Sequence, residues 1–295
     1  MTQRDRDMLD LDPDDATRAL RMCRAQRRAS WQAPVLLWFG FALLLGYLAS
    51  VFLGANRQVI AAEVGGATPA VVELFTSQGC YSCPPAEALL GELITDIDPD
   101  YLVALEFHVD YWDTLVYGRH GSHKDPFSSP TNTLRQRDYN GRRLSGQRGV
   151  YTPQMVVNGR YGAVGSRRGD VLDGINRVER PALDLRVTAA GESMLSVGLE
   201  GDVAGLPDDA QVWLAVFDIK ATTEIATGEN HDKTLTSHHI VRRFEPVSPA
   251  SAAQFDLTVA LEAGQGCALL VQSPDLGPIH GAAYCPDSIW RPTEG

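Results

Sequence analysis

The 295-residue sequence has no excess of positive charge: 26 Lys and Arg stand against 37 Asp and Glu, for a formal net charge of −11. A surface that holds a phosphate backbone needs the opposite balance, which argues against nucleic acid as a partner. GxGxxG, P-loop, HExxH and GxSxG motifs are all missing, and with them the usual signatures of dinucleotide binding, nucleotide hydrolysis, zinc proteolysis and α/β-hydrolase chemistry. No internal repeat is present. Cysteine is scarce, with five in all. The 44% apolar and 21% charged content excludes global disorder, and the length suffices for two domains and a tail.

Long apolar runs are also missing, with one exception. An acidic stretch, "MTQRDRDMLDLDPDD", leads to Arg18, Arg21, Arg24, Arg27 and Arg28, and then to the uncharged "APVLLWFGFALLLGYLASVFLGA", residues 33–55. As a helix this run spans roughly 35 Å, enough to cross a bilayer. The preceding arginines keep residues 1–32 on the cytoplasmic side and export the chain beyond residue 55. The expectation is a single-pass membrane anchor with its C-terminal part on the exported side. Cleavage as a signal peptide is the alternative, although Leu53 and Ile60 occupy the −3 positions of the two candidate sites. Either way Cys23 stays on the reducing side, while Cys80, Cys83, Cys267 and Cys285 reach the oxidising side, where disulfides persist.

Residues 56–68 form a small, polar linker. "AVVELF" reads as a buried strand, "PPAEALLGELITDI" as a helix and "YLVALEFHV" as a second, parallel strand. A polar insertion, 110–150, holds one short helix near 131–139. "YTPQMVVNGRYGAV" is a hairpin turning at Asn158-Gly159, and "RGDVLDGINRV" a closing helix with Asp170 as N-cap. After Pro181 short alternating strands take over, the pattern of a β-sandwich, so a domain boundary is expected near Arg180. The expected architecture is an α/β domain, 69–180, followed by an all-β sandwich-like domain, 181–295.

Strand, CxxC and helix, then hairpin and helix, resemble thioredoxin-like proteins, and Thr152-Pro153 enters the hairpin as the cis-proline loop does in that fold. More closely, "ELFTSQGCYSCPPAE", "FHVDYWD", "KDPFSS", "YTPQMVVNG" and "GEN…TLTSHHIVR" resemble a family of exported bacterial proteins. That family is catalogued as domain of unknown function 1223, with a thioredoxin-like fold. The resemblance implies the fold, a compartment (the bacterial inner membrane, with the C-terminal part in the periplasm) and no established activity.

The chemistry follows from position. Cys80 and Cys83 lie one turn apart at the start of a helix, whose unpaired N–H groups and positive dipole end favour a thiolate. By analogy Cys80 attacks and Cys83 resolves. Pro84 and Pro85 fit a helix opening, which places the CYSC loop just ahead of the helix. Glu73 shares a strand face with Val71 and Phe75. Thioredoxins carry a buried acid on this strand, which would make Glu73 a proton carrier; a salt-bridged strand-end glutamate is the equal alternative. Pro153 would close the active loop, leaving Thr152, Tyr81, His108 and Trp112 to line the substrate groove, with Asp110 and Asp113 beside them.

Three readings remain open. The first is a thiol–disulfide oxidoreductase-type domain acting on exported protein thiols, regenerated by a redox partner and needing no dissociable cofactor. The second is a non-catalytic binding module in which Cys80–Cys83 is a staple. The third is a copper or zinc protein using His108 with the two cysteines, for which only three ligands are in view. Arg135, Arg137, Arg142, Arg143 and Arg148 read as a solvated basic face. His231, His238 and His239 read as surface or strand residues. Cys267 and Cys285 flank Leu276 symmetrically, so a hairpin turning there sets them opposite each other for a structural disulfide.

Overall fold

A computed structural model describes residues 68–144 and 149–290, all within one compact unit, Ile60–Gly295. The tail 1–32, the apolar run 33–55, nearly all of the linker and Arg148 lie outside the described residues. Among the described residues no helix is long and apolar enough to cross a membrane.

Strand β1 (Ala70–Thr76) is buried at every position, as befits a central strand covered on both faces. It runs parallel to β2 (Leu102–His108), in register from Ala70↔Leu102 to Thr76↔His108. Helix α1 (Pro84–Asp96) crosses between them. Its two prolines occupy the first turn, where no backbone partner would exist for their missing N–H groups. Ala86, Leu90 and Leu93 of α1 pack on Val72, Leu74 and Ala104 of the strands. The insertion supplies α2 (Pro130–Gly141), opened by Ser129, whose hydroxyl accepts from the N–H of Thr131. β3 (Gln154–Val157) pairs antiparallel with β1, and β4 (Tyr161–Val164) with β3. Their turn places Asn158 and Gly159 at φ 49° and 63°. A side chain at Gly159 would lie 2.6 Å from the carbonyl oxygen of Gly277, so both conformation and space require glycine there. Helix α3 (Arg168–Arg177) closes the unit with Val171 and Ile175 buried. Its N-cap is Arg167, and Asp170 sits in the first turn instead, where its charge still suits the dipole.

Residues 181–290 do not form a sandwich of their own. β7 (Gln211–Ile225), β8 (Lys233–Pro249), β10 (Gln265–Gln272) and β11 (Ile279–Tyr284) continue the first sheet, giving eight strands in the order β11-β10-β7-β8-β2-β1-β3-β4. The junction is parallel, Glu106↔Ile240. Only β5 (Asp184–Ala189), β6 (Met194–Glu200) and β9 (Gln254–Thr258) separate off, as a three-stranded antiparallel sheet. Leu185, Leu195 and Val197 of this sheet share a core with Leu214 and Leu269 of the large one. The sheet-on-sheet layering is therefore real, but one layer extends through the expected boundary at Arg180. The physical reason is the open edge of β2, whose backbone groups need a partner that β8 supplies. Cys267 and Cys285 are joined by a disulfide, with Cα atoms 5.3 Å apart across the β10–β11 pair, and Cys285 N–H donates to Cys267 C=O at 2.9 Å.

Glu73 lies on the sheet face away from α1. Its carboxylate accepts from Arg135 Nε at 2.7 Å and from the Tyr139 hydroxyl at 2.5 Å. Arg135 Nη2 also donates to Gln272 at 2.9 Å, tying α2 to β10. Arg135 is thus no part of a solvated basic face: it is 7% exposed, whereas Arg137, Arg142 and Arg143 are exposed. Breaking a buried pair on one side strands the other charge. Glu73→Gln is expected to destabilise the fold by roughly 3–5 kcal/mol. Glu73→Leu combined with Arg135→Met should recover most of that loss in urea melts, and a double variant as unstable as the single one would contradict the assignment.

Candidate functional site

The chain leaves β1 at Thr76 and makes two tight turns, Cys80 N–H donating to Ser77 C=O at 3.0 Å and Cys83 N–H to Cys80 C=O at 3.2 Å. The second turn brings the Cys80 and Cys83 Cα atoms to 5.4 Å, and a disulfide joins them. Cys83 is the N-cap of α1, so the pair sits at the helix mouth, just ahead of the prolines. Both cysteines are fully buried, while Tyr81 between them is 61% exposed.

The cover comes from two distant segments. From the β7–β8 turn, Asn230 Nδ2 donates to Gln78 C=O at 2.9 Å and to Cys80 C=O at 3.0 Å. Glu229 accepts from Tyr81 N–H at 2.8 Å. Lys233 donates to Asn230 Oδ1 at 2.9 Å and lies 3.9 Å above the Tyr81 ring. From the insertion, Asp125 accepts from Gln78 N–H at 2.7 Å and His123 donates to Gln78 Oε1 at 3.2 Å. Gly228 N–H donates to His120 C=O at 2.8 Å, and the His120 and His231 rings stack with centroids 3.4 Å apart, so the two segments also hold each other.

Beneath the loop is a dry cluster of ionisable groups. His108 donates from Nδ1 to Asp125 at 2.7 Å and from Nε2 to Glu106 at 2.8 Å. The other Glu106 oxygen accepts from His238 N–H at 2.9 Å. Burial opposes a charge on His108, but the two carboxylates outweigh it and hold its pKa up at about 10. Asp125 is held low: burial raises it, and the His108 imidazolium more than compensates. Glu87, four residues beyond Cys83 on α1, accepts from the Thr76 hydroxyl at 2.7 Å and is 2% exposed. Burial, with the Glu106 charge adding to it, pushes its pKa up to about 8, so near neutral pH Glu87 is an uncharged acid.

The Thr152–Pro153 bond is cis. Pro153 C=O accepts from Gly165 N–H at 2.9 Å, and a Cβ at Gly165 would meet Pro153 and Ala86 of α1 at 3.3 and 3.1 Å. The proline therefore lies beside the first turn of α1. Trp112 bridges to it: its indole N–H donates to Thr152 Oγ1 at 2.8 Å, and its Cβ would be 3.2 Å from a side chain at Gly79, next to Cys80.

Of the residues singled out from sequence, Cys80, Cys83, Tyr81, Trp112, Thr152 and Pro153 converge here. Glu73 does not, because strand alternation turns it to the opposite face and into the Arg135 pair. His108 belongs to the site as buried support and lines no groove; both ring nitrogens are occupied, which removes it as a metal ligand. Among the described residues no group of three or more His, Cys, Asp or Glu could hold a metal ion. His239 is a strand residue, on β8, as one of the two readings had it, and is buried at 4% exposure. Sequence reasoning missed Glu87, Asp125, Glu229 and Asn230. A trace of Glu87 was available, since a glutamate one turn beyond Cys83 on a buried helix face breaks the apolar pattern.

This topology, β1-α1-β2-α2-β3-β4-α3 with CxxC at the first helix and a cis proline ahead of β3, is that of a mixed α/β domain whose sheet looks thioredoxin-like and carries extra strands. The chain matches over residues 71–272 the family described as "Protein of unknown function (DUF1223)", and it belongs to that family. A solved structure, protein AGR_C_4864 from Agrobacterium tumefaciens, is 28% identical with a TM-score of 0.57, covering 75% of this chain and 95% of that one. HBP35 of Porphyromonas gingivalis is 15% identical with a TM-score of 0.47, over 78% and 79% of the two chains. No curated protein matches.

The buried cluster makes stability depend on pH with a definite sign. Glu87 binds its proton more tightly folded (about 8) than its ordinary value of 4.5, so stability falls as pH rises across that interval. The His108 contribution, raised from 6.5 to about 10, is complete below 6.5 and lost as pH climbs through 10. Both act in one direction above 6.5. The thermal midpoint should fall between pH ~6 and ~9, and Glu87→Gln should flatten the fall and add roughly 4 kcal/mol at pH ~8. An unchanged slope in Glu87→Gln would remove Glu87 from this account.

Proposed function

We propose that the domain performs thiol–disulfide exchange at Cys80–Cys83, on the exported side of a membrane to which residues 33–55 anchor it, with exported protein thiols as substrates. The observation that carries this reading is the pairing of a helix-mouth disulfide with Glu87, an uncharged acid one helical turn from Cys83. A substrate thiolate attacks Cys80 Sγ, the Cys80–Cys83 bond breaks, and the Cys83 thiolate leaves with the electron pair and takes the proton of Glu87. A second substrate thiolate then attacks the substrate sulfur of the mixed disulfide and releases Cys80 as thiolate. The products are one substrate disulfide and the reduced pair, which a separate redox partner must reoxidise.

Attack needs access, so the β7–β8 turn must lift. That breaks the two bonds of Asn230, the Gly228–His120 bond and the charged bond of Glu229, together with the His120–His231 and Lys233–Tyr81 ring contacts. At about 1 kcal/mol for each neutral bond and ~2 for the charged one, the hydrogen bonds alone cost roughly 5 kcal/mol to open, within the range of local fluctuations. Exchange is therefore gated.

The same cover favours a second reading, a binding module in which the pair is a permanent staple. The reduction potential separates them: exchange proteins lie near −270 to −120 mV, structural disulfides below about −300 mV. A value in the upper range is expected, with Cys83→Ala accumulating mixed disulfides with exported proteins. Asn230→Ala should speed reduction by dithiothreitol about tenfold, from the loss of ~1–2 kcal/mol of cover. A potential below about −300 mV with no trapped partner leaves the staple.

A further inference from the structure

On the sheet face away from α1, between α2 and the β10–β11 turn, lies a pocket of about 160 Å³. Phe107, Trp213, Phe244, Leu134 and Leu276 form its walls, and Arg135 forms part of its floor. The Trp213 and Phe244 rings are parallel, 9° apart with centroids at 5.1 Å, and the Arg135 guanidinium lies 4.3 Å from the Phe244 centroid.

Arg135 carries more donors than its ion pair consumes. Nε binds Glu73, and Nη2 binds Glu73, Tyr139 and Gln272. The two N–H groups of Nη1 have no partner among the described residues, on a side chain only 6% exposed. Arg135 is among the residues that line this pocket, and Nη1 is its one nitrogen without a partner among the described residues.

Size, walls and charge define what fits. A cavity of about 150 Å³ with apolar walls takes one benzene-sized ring. Glu73 already neutralises the guanidinium, and Asp138 stands on the rim, so a carboxylate would add a negative charge where no positive one is free. An uncharged acceptor oxygen can use Nη1 without that cost. We infer that the pocket is a binding site for an uncharged single-ring compound bearing one hydrogen-bond acceptor, stacked along Phe244 and Trp213 with its oxygen on Arg135 Nη1. This site is independent of the exchange chemistry, which lies across the sheet.

The test uses the full chain titrated with phenol, toluene and benzoate, followed by NMR on the Trp213 indole N–H, which Trp213→Phe assigns. Phenol should bind saturably and at least fivefold more tightly than toluene, with benzoate no tighter than toluene. Arg135→Lys should erase the advantage of phenol over toluene. Because that change touches the buried ion pair, Leu134→Trp, at a position 56% exposed on the rim, provides a second variant that should block all three compounds while the melting curve stays unchanged. Equal binding of phenol and toluene, tightest binding of benzoate, or no binding at all each overturns the assignment.

Discussion

A charge with no water around it must be answered by another group, and two neighbouring central strands carry three such charges: Glu73, Glu106 and His108. The answering groups are far apart in the chain. Arg135 comes from α2, Asp125 from the loop before it, and the backbone of His238 from an appended strand. An isolated β1–β4 unit would hold uncompensated ions in a dry sheet, a cost of several kcal/mol for each. The insertion and the later strands are therefore integral to this domain, which explains why the family match runs from residue 71 to residue 272 without a break at Arg180.

The same demand shapes the reactive loop. Gln78 is held at its amide, its carbonyl and both ends of its side chain, by Asp125, Asn230, Thr223 and His123. A loop so constrained presents its sulfurs in one geometry, and it hides them in the same act. Fold and the proposed chemistry are in tension here: cover stabilises the loop, whereas exchange would need it exposed.

Much of the α/β unit was legible because its signals are local. The apolar run 70–75, the prolines at 84–85 and Asn158-Gly159 each act on their own segment, and the structure has β1, α1 and the β3–β4 hairpin at those places. What stayed hidden depends on pairing at long range. Alternation in β7 and β8 announces half-buried strands but is silent about which open edge they join. Arg135 looked like one arginine among several, since nothing within its own helix reveals a glutamate 62 residues earlier as its partner. Asn230 sits in a turn, where polar residues are ordinary, and only the fold brings it to Cys80.

The amide of Asn230 rests on the carbonyl of Cys80, so the sulfur state and the turn's position share a contact. On the proposed exchange, a turn that met the oxidised and reduced loops differently would, by thermodynamic reciprocity, let any effector gripping it shift the redox poise by the same factor. The hairpin tip would then serve as a sensor as much as a cover, open to a partner too large to reach the sulfurs themselves.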